Sequence, residues 1–259
     1  MKILVLLKMV PDVVEELEVA ADGASLDRGF LRLIINERDE NALEQALILK
    51  ERHQGSAVVA IAPEAPEVDD VLYTALARGA DRVVKVTGLE EGLGSRATAA
   101  VLAAALPAIA DLLPVDLVLT GCQAIDDLDG LMGPLVAMHL GLPYVGIVTG
   151  LDVDAAGVAH CGREYPGGVR GSFEVGLPAV VGIQGAEKPP RYVPIAKVRA
   201  AIASGKIEVI PATLGAEPPL LGVVEMRKPV VTERAEMIAG DLDEIASRIC
   251  EILADRALL

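Results

Sequence analysis

Short apolar runs, each bounded by Gly, Pro or Asp, recur along the first half of the chain. Asp81–Thr87 reads as a strand, and Ile3–Leu7, Ala57–Ala62 and Val115–Thr120 are almost wholly apolar and alternate little. That is the pattern of strands buried on both faces. Between them lie segments with helical spacing. In Glu37–His53, Ala42, Leu43, Ala46, Leu47 and Lys50 share one stripe. Glu37, Asp39 and Glu40 open that segment, Lys50, Arg52 and His53 close it, as the helix dipole favours, and Gly55 stops it. Val68, Val71, Leu72, Ala75 and Leu76 fall at i, i+3, i+4, i+7 and i+8, with Gly79 beyond. An Ala-rich helix capped by Ser95 must end or kink at Pro107, and Leu131–Leu140 reads as a helix closed by Gly141. Strands and helices thus alternate over roughly the first 140 residues, which predicts a parallel sheet covered by helices on both faces.

After Gly141 the texture changes. Tyr144–Asp154, Gly157–Glu164 and Gly168–Val175 are short strand-like pieces with glycine turns, and Pro178–Ile183 is apolar again. A further sheet strand, a small antiparallel excursion and a return are expected. Asp22-Gly23 between half-apolar runs signals a hairpin over Glu18–Asp27. Glu187–Pro194 holds three prolines and reads as a rigid exposed loop. From Pro211 to Val231 the chain reads as an extended arm. It ends in an amphipathic helix with Leu242, Ile245, Ala246, Ile249, Ile252 and Leu253 on one face and Asp241 as its cap. The expected division is therefore an α/β domain over 1–210 and an arm with its helix over 211–259.

The chain is organised around Gly121-Cys-Gln-Ala-Ile-Asp126-Asp-Leu-Asp-Gly130-Leu-Met-Gly133-Pro134. A strand, a glycine turn and a helix start in succession collect unpaired backbone N–H groups and the positive helix pole at one point, which suits a phosphate. Asp126, Asp127 and Asp129 are placed to cap the helix and to accept hydrogen bonds from ribose hydroxyls; a well-capped turn without a ligand is the plain alternative. Neither the G-x-G-x-x-G nor the G-x-x-x-x-G-K-[ST] pattern is present. In a parallel sheet, ligands bind at the carboxyl ends of strands near a switch in strand order. Lys8–Asp12, Ala62–Ala65 and Gly121–Asp129 are the loops at such ends.

Composition narrows the function. A net charge of −15 opposes general nucleic-acid binding and leaves backbone amides as the main holders of any phosphate. Hydrophobic residues make up 52%, yet no apolar run reaches the ~18 residues of a membrane span. The N-terminus reads as a strand and not as a signal peptide, so a cytoplasmic protein without membrane insertion is expected. Cys122, Cys161 and Cys250 and the three histidines are scattered, which predicts reduced thiols and no metal site. No Ser, Cys or His stands in a nucleophile setting, so no catalytic residue is assigned, and Cys122 is read as a structural thiol. With no Trp, two Phe and four Tyr, stacking of a flavin on the chain's own aromatics has little support.

Several segments, in this order and spacing, resemble the β subunit of an electron transfer flavoprotein. They are Lys8-Met-Val-Pro11-Asp12, Asn36 with Asp39-Glu40-Asn-Ala-Leu-Glu44-Gln-Ala46, Thr74–Arg82, Gly121-x-Gln123-Ala124-Ile125-Asp126-Asp127, and Pro190-Arg191-Tyr192. The resemblance implies a three-layer α/β/α fold of the adenine nucleotide alpha hydrolase type. It implies a heterodimer with an α subunit that carries most of the FAD site, and electrons passed from a dehydrogenase, such as an acyl-CoA dehydrogenase, to the flavin and on to an acceptor. Most members hold AMP in the β subunit, whereas a bifurcating group holds a second FAD that takes hydride from NADH. The nucleotide contacts it implies are Leu6, Asn36, Glu37, Arg38, Asp39, Pro63, Gly121, Cys122, Gln123, Ala124, Ile125, Asp126, Asp127, Leu128, Asp129, Gly130, Leu131 and Met132. It implies a partner-recognition loop over Arg191–Ala200 with Ile195 at its tip, and an arm that docks on the α subunit.

This chain departs from the pattern at three places. Cys122 replaces a usual Lys or Arg, Val13 replaces a Tyr set against the flavin, and Asp127–Pro134 matches neither the AMP-type nor the bifurcating text. A nucleotide-binding regulatory module of the universal-stress type is the competing class. The apolar terminal helix opposes it, because a self-sufficient sensor has no need to expose one.

Overall fold

A computed structural model describes residues 1–29, 31–89, 93–212, 222–230, 235 and 237–258. Its strands are β1 (Lys2–Leu6), β2 (Met9–Pro11), β3 (Leu33–Ile35), β4 (Ala57–Pro63), β5 (Arg82–Thr87), β6 (Leu117–Gly121), β7 (Tyr144–Val148), β8 (Gly150–Val153), β9 (Val158–Glu164), β10 (Arg170–Gly176), β11 (Ala179–Ile183) and β12 (Ile207–Pro211). Its helices are α1 (Glu37–Arg52), α2 (Val68–Arg78), α3 (Ser95–Ala105), α4 (Met132–Leu140), α5 (Ile195–Ser204) and α6 (Leu242–Asp255).

Seven strands form one parallel sheet in the order β12-β5-β4-β1-β6-β11-β7. The chain first builds outward from β1 through β4 to β5, then returns to β6 on the other side of β1. The switch in strand order therefore falls between β1 and β6. Side chains alternate between two cores. Ile3, Val5, Val58, Ala60 and Leu119 face α1 and α2 with Leu43, Leu47 and Leu72. Leu4, Leu6, Val59, Ile61 and Val118 face α3 and α4 with Ala99, Leu102 and Val136. Burial on both faces is what makes these strands read as unbroken apolar runs.

The expected excursion is present: β8, β9 and β10 form an antiparallel sheet, and β11 returns to the main one. The Asp22-Gly23 turn carries an antiparallel bridge, Val19 with Leu26. The expected loop over Lys8–Asp12 is in part a strand, because Met9–Pro11 pairs antiparallel with Leu33–Ile35. Ser95 is the first helical residue of α3 and Gly94 its cap, so the expected Ser95 cap is corrected. Pro107 does end that helix, in a single 3-10 turn over Leu106–Ala108.

Helix α5 and strands β2, β3 and β12 have no counterpart in the sequence-based reading. Residues 195–200 belong to helix α5 and not to a loop, and β12 extends the sheet beyond β5. Among the described arm residues, 222–230 carry no regular element, and Met226 N donates to Gly23 O at 2.7 Å. The rest of the expected arm, 213–221 and 231–234, lies outside the described residues. Helix α6 has its predicted cap: Asp241 accepts from the Asp243 and Glu244 amides, and Glu244 accepts from Asp241 N. None of its residues is buried, and Leu242 is 86% exposed.

Candidate functional site

Two of the three strand-end loops singled out by sequence, those after β1 and β6, meet at the switch point, and one buried carboxylate ties them together; the Ala62–Ala65 loop ends β4, on the other side of β1. Asp39, in the first turn of α1, accepts the Lys8 amide beyond β1 at 2.8 Å and the Gly121 amide at the end of β6 at 2.8 Å. Burial raises its pKa from the ordinary 3.8 to about 7, although the Gly121 and Lys8 amides and the Asn36 side chain favour the charged form. Asn36, also buried, donates to Gln123 O at 3.0 Å. Gly121 is obligatory here. A Cβ would lie 2.7 Å from the Arg38 Cβ and nearer still to Asp39 Oδ1.

Beyond Gly121 the chain loops out to α4. Leu128 and Gly130 are left-handed (φ 53° and 62°), and Gln123 Nε2 donates to Leu128 O at 2.6 Å. The expected cap is corrected: Leu131 is the N-cap of α4, no side chain caps it, and its first turn holds no acidic residue. Asp129 instead accepts Leu131 N in a tight turn at 2.8 Å. Asp126 and Asp127 turn the other way and clasp Lys8 Nζ at 2.8 and 2.7 Å. Asp127 also accepts Ser95 Oγ at 3.2 Å. The Lys8 partnership was invisible in sequence, since 118 residues separate it from Asp126.

Under the start of α4, Thr120 Oγ1 is buried without a hydrogen-bond partner among the described residues. It sits 2.9 Å from where a Gly133 Cβ would be. Amides of the first helical turn have no intrahelical acceptor. An uncapped helix start, an orphaned hydroxyl below it and a lysine beside it form a donor set that fits a phosphate. Asp126, Asp127 and Asp129 fit hydroxyl donors. With the Lys8 clasp closed the space between the loops is about 20 Å³, room for one water.

Of the residues implied by resemblance, Asn36, Asp39, Gly121, Cys122, Gln123, Ala124, Asp127, Asp129, Gly130, Leu131 and Met132 line that space together. Glu37, Arg38, Ile125, Asp126 and Leu128 stand around it, Ile125 and Leu128 with exposed side chains. Leu6 and Pro63 are at the ends of β1 and β4, and the Leu6 side chain is in the core. Arg38 Nη1 donates to Gln184 O at 2.8 Å.

A second, larger cavity of about 530 Å³ adjoins the first and shares Cys122, Gln123, Asp129 and Gly130 with it. Its other walls are Tyr144 to Ile147, Arg163, Phe173 and Gln184, none of which the sequence marked. Tyr144 lies in a slot made by Gly133, Gly146 and Gly182, where any Cβ would strike its ring or hydroxyl. Burial pushes its phenol up to about 12. Ile147 is left-handed (φ 60°), a strained setting for a β-branched residue, at the bulge where β7 and β11 shift register. Arg163 Nε is buried without a partner among the described residues. Cys122 Sγ donates to Gln184 Oε1 at 2.8 Å, and burial raises its thiol pKa, as befits a structural thiol.

A parallel sheet with helices on both faces and a switch in strand order between β1 and β6 defines a three-layer α/β protein. The electron transfer flavoprotein domain matches residues 28–214. The electron transfer flavoprotein subunit beta of Methylophilus methylotrophus is 30% identical over 261 residues, covering 98% of each chain. The subunit of the same name from Syntrophomonas wolfei is 34% identical over 228 residues, 83% of this chain and 86% of that one. The caffeyl-CoA reductase-Etf complex subunit CarD of Acetobacterium woodii is 28% identical over the full length of both. This chain belongs to the electron transfer flavoprotein β-subunit family. No helix among the described residues is long and apolar enough to cross a membrane, and no metal-binding cluster occurs among them.

Proposed function

We propose that the chain is the β half of a heterodimer with an electron transfer flavoprotein α subunit and works in the cytoplasm. It receives electrons from dehydrogenases, such as acyl-CoA dehydrogenases, through an FAD held mainly by the α subunit. The flavin supplies the redox chemistry; this chain contributes position and electrostatics. The site at the β1–β6 switch holds AMP, and the observation that carries this reading is the donor set at the start of α4. The phosphate takes the free amides of Met132 and Gly133 and draws Lys8 Nζ away from Asp126 and Asp127. Those carboxylates then turn to the ribose hydroxyls. Asp39 keeps the loops after β1 and β6 at their spacing while this happens.

The arm from residue 211 docks on the α subunit. In support, α6 has an apolar stripe and no buried residue, and Val224 and Val230 are 94% and 83% exposed. Docking of the dehydrogenase falls on Arg191–Ala200, where Tyr192 and Ile195 stand 86% and 67% exposed.

The 530 Å³ cavity favours a second reading. It lies in the size range of ligand pockets, and it continues from the phosphate site past Gln123 and Asp129 to Arg163 and Gln184. A second FAD in place of AMP would extend into it, as in a bifurcating complex. The test is to purify the heterodimer, denature it and quantify the released nucleotides by chromatography. One FAD and one AMP support the simple carrier, two FAD the bifurcating form, and no flavin refutes both.

A further inference from the structure

The segment that follows β11 runs back along α1, and the helix meets it with polar side chains where a sheet protein usually packs apolar ones. Three amides of the segment are each taken by an α1 side chain. Ala186 N donates to Asn41 Oδ1 at 3.1 Å, Glu187 N to Gln45 Oε1 at 3.0 Å, and Arg191 N to Glu44 Oε2 at 3.0 Å. Pro189, Pro190 and Pro194 have no N–H, so the segment cannot join a strand ladder. Its side chains are held as well. Arg191 donates to Glu44 through Nε and Nη2 and to Glu51 through Nη1, and Glu187 pairs with Arg52 and with Gln45 Nε2. The Glu44 side chain is only 4% exposed.

A carboxylate buried at that cost is stable only while its partners stay in place. An apolar contact would hold the segment at comparable cost but would leave it free to slide. Directional bonds to Asn41 and, one turn further along the helix, to Glu44 and Gln45 set both its height and its register. The segment ends at Tyr192 and the first turn of α5, where Ile195 is exposed.

We infer that Asn41, Glu44 and Gln45 of α1 form a mount that fixes the presentation of Tyr192 and Ile195, with Glu44 as its principal positioning residue. The inference rests on the reading of Arg191–Ala200 as the dehydrogenase docking surface. It assigns to residues outside that surface the geometry on which docking depends. Glu44 touches neither flavin nor dehydrogenase; it acts through Arg191.

The test uses the purified heterodimer with Glu44→Gln and, in case that buried change impairs folding, Asn41→Ala at the half-buried end of the mount. The probe is an acyl-CoA dehydrogenase of the same organism that reduces the wild-type heterodimer. Amide exchange should quicken at 186–194 and nowhere else. KM for the reduced dehydrogenase should rise about tenfold at unchanged kcat, with nucleotide content and flavin potential unaltered. Tyr192→Ala and Ile195→Ser serve as the control on the docking surface itself. If they raise KM while both mount variants leave KM at the wild-type value, the mount is refuted and the docking surface stands. If neither pair changes KM, the docking surface is refuted and the inference falls with it. Unchanged exchange at 186–194 in both mount variants also overturns the inference.

Discussion

Asp39→Asn is the most informative single change, because Asn imitates the protonated acid in a place where the wild-type residue titrates near neutrality. The folded protein raises the Asp39 pKa from 3.8 to about 7, so it binds this proton more tightly than the unfolded chain does. Between those values stability must fall as pH rises, and the loss levels off above pH 7. The full shift corresponds to about 4 kcal/mol, of which about 2–3 kcal/mol falls between pH 5 and pH 8. An Asn keeps one acceptor for Lys8 N or Gly121 N and turns an N–H toward the other, a cost of about 1–3 kcal/mol that does not change with pH. The variant should therefore be the less stable protein at pH 5 and gain steadily on the wild type up to pH 8. At about 2–4 °C per kcal/mol, the Tm difference should move by about 5–10 °C in its favour. Scanning calorimetry of wild-type and variant heterodimers at equal concentration and four pH values measures this directly. Parallel curves would refute the argument, since every other titrating group is common to both proteins.

Gly121→Ala forces a methyl group against the Arg38 backbone and Asp39 carboxylate and should cost about 1–3 kcal/mol of stability, read as a lower Tm. Asp126→Ala should lower stability by less than about 1 kcal/mol, since its pair with Lys8 is partly exposed. The same change should weaken nucleotide retention by about 1–3 kcal/mol, measured as AMP remaining after gel filtration; unchanged retention would leave Asp126 as a partner of Lys8 only. Deleting residues 232–259 should abolish co-purification with the α subunit, and a truncated chain that still co-elutes would refute the docking role of α6.

Local signals sufficed wherever an element is defined by its own neighbours. The two-sided strands β1, β4 and β6 are largely apolar because both faces are buried, and that shows in any window of the chain. Helix α2 was legible from its stripe, and α6 from its stripe and the Asp241 cap, to which the structure adds the reciprocal bond of Glu244. The loop from β6 to α4 was legible too, because a glycine-ended strand running into a helix start is a short-range pattern.

Long-range geometry decided the rest. Ile195–Ser204 and Ile207–Pro211 carry weak patterns of their own; α5 is held by packing on α2, and β12 by its pairing with β5. The acids at 126 and 127 looked like caps because Lys8 is remote in sequence, and only the adjacency of β1 and β6 brings its Nζ to them. The same adjacency makes Asp39 a buried bridge instead of a first-turn acid on a solvated helix. Periodicity reports which face of an element is buried, but the partner across a parallel sheet is chosen by strand order. That order exists only once the chain has crossed back over itself.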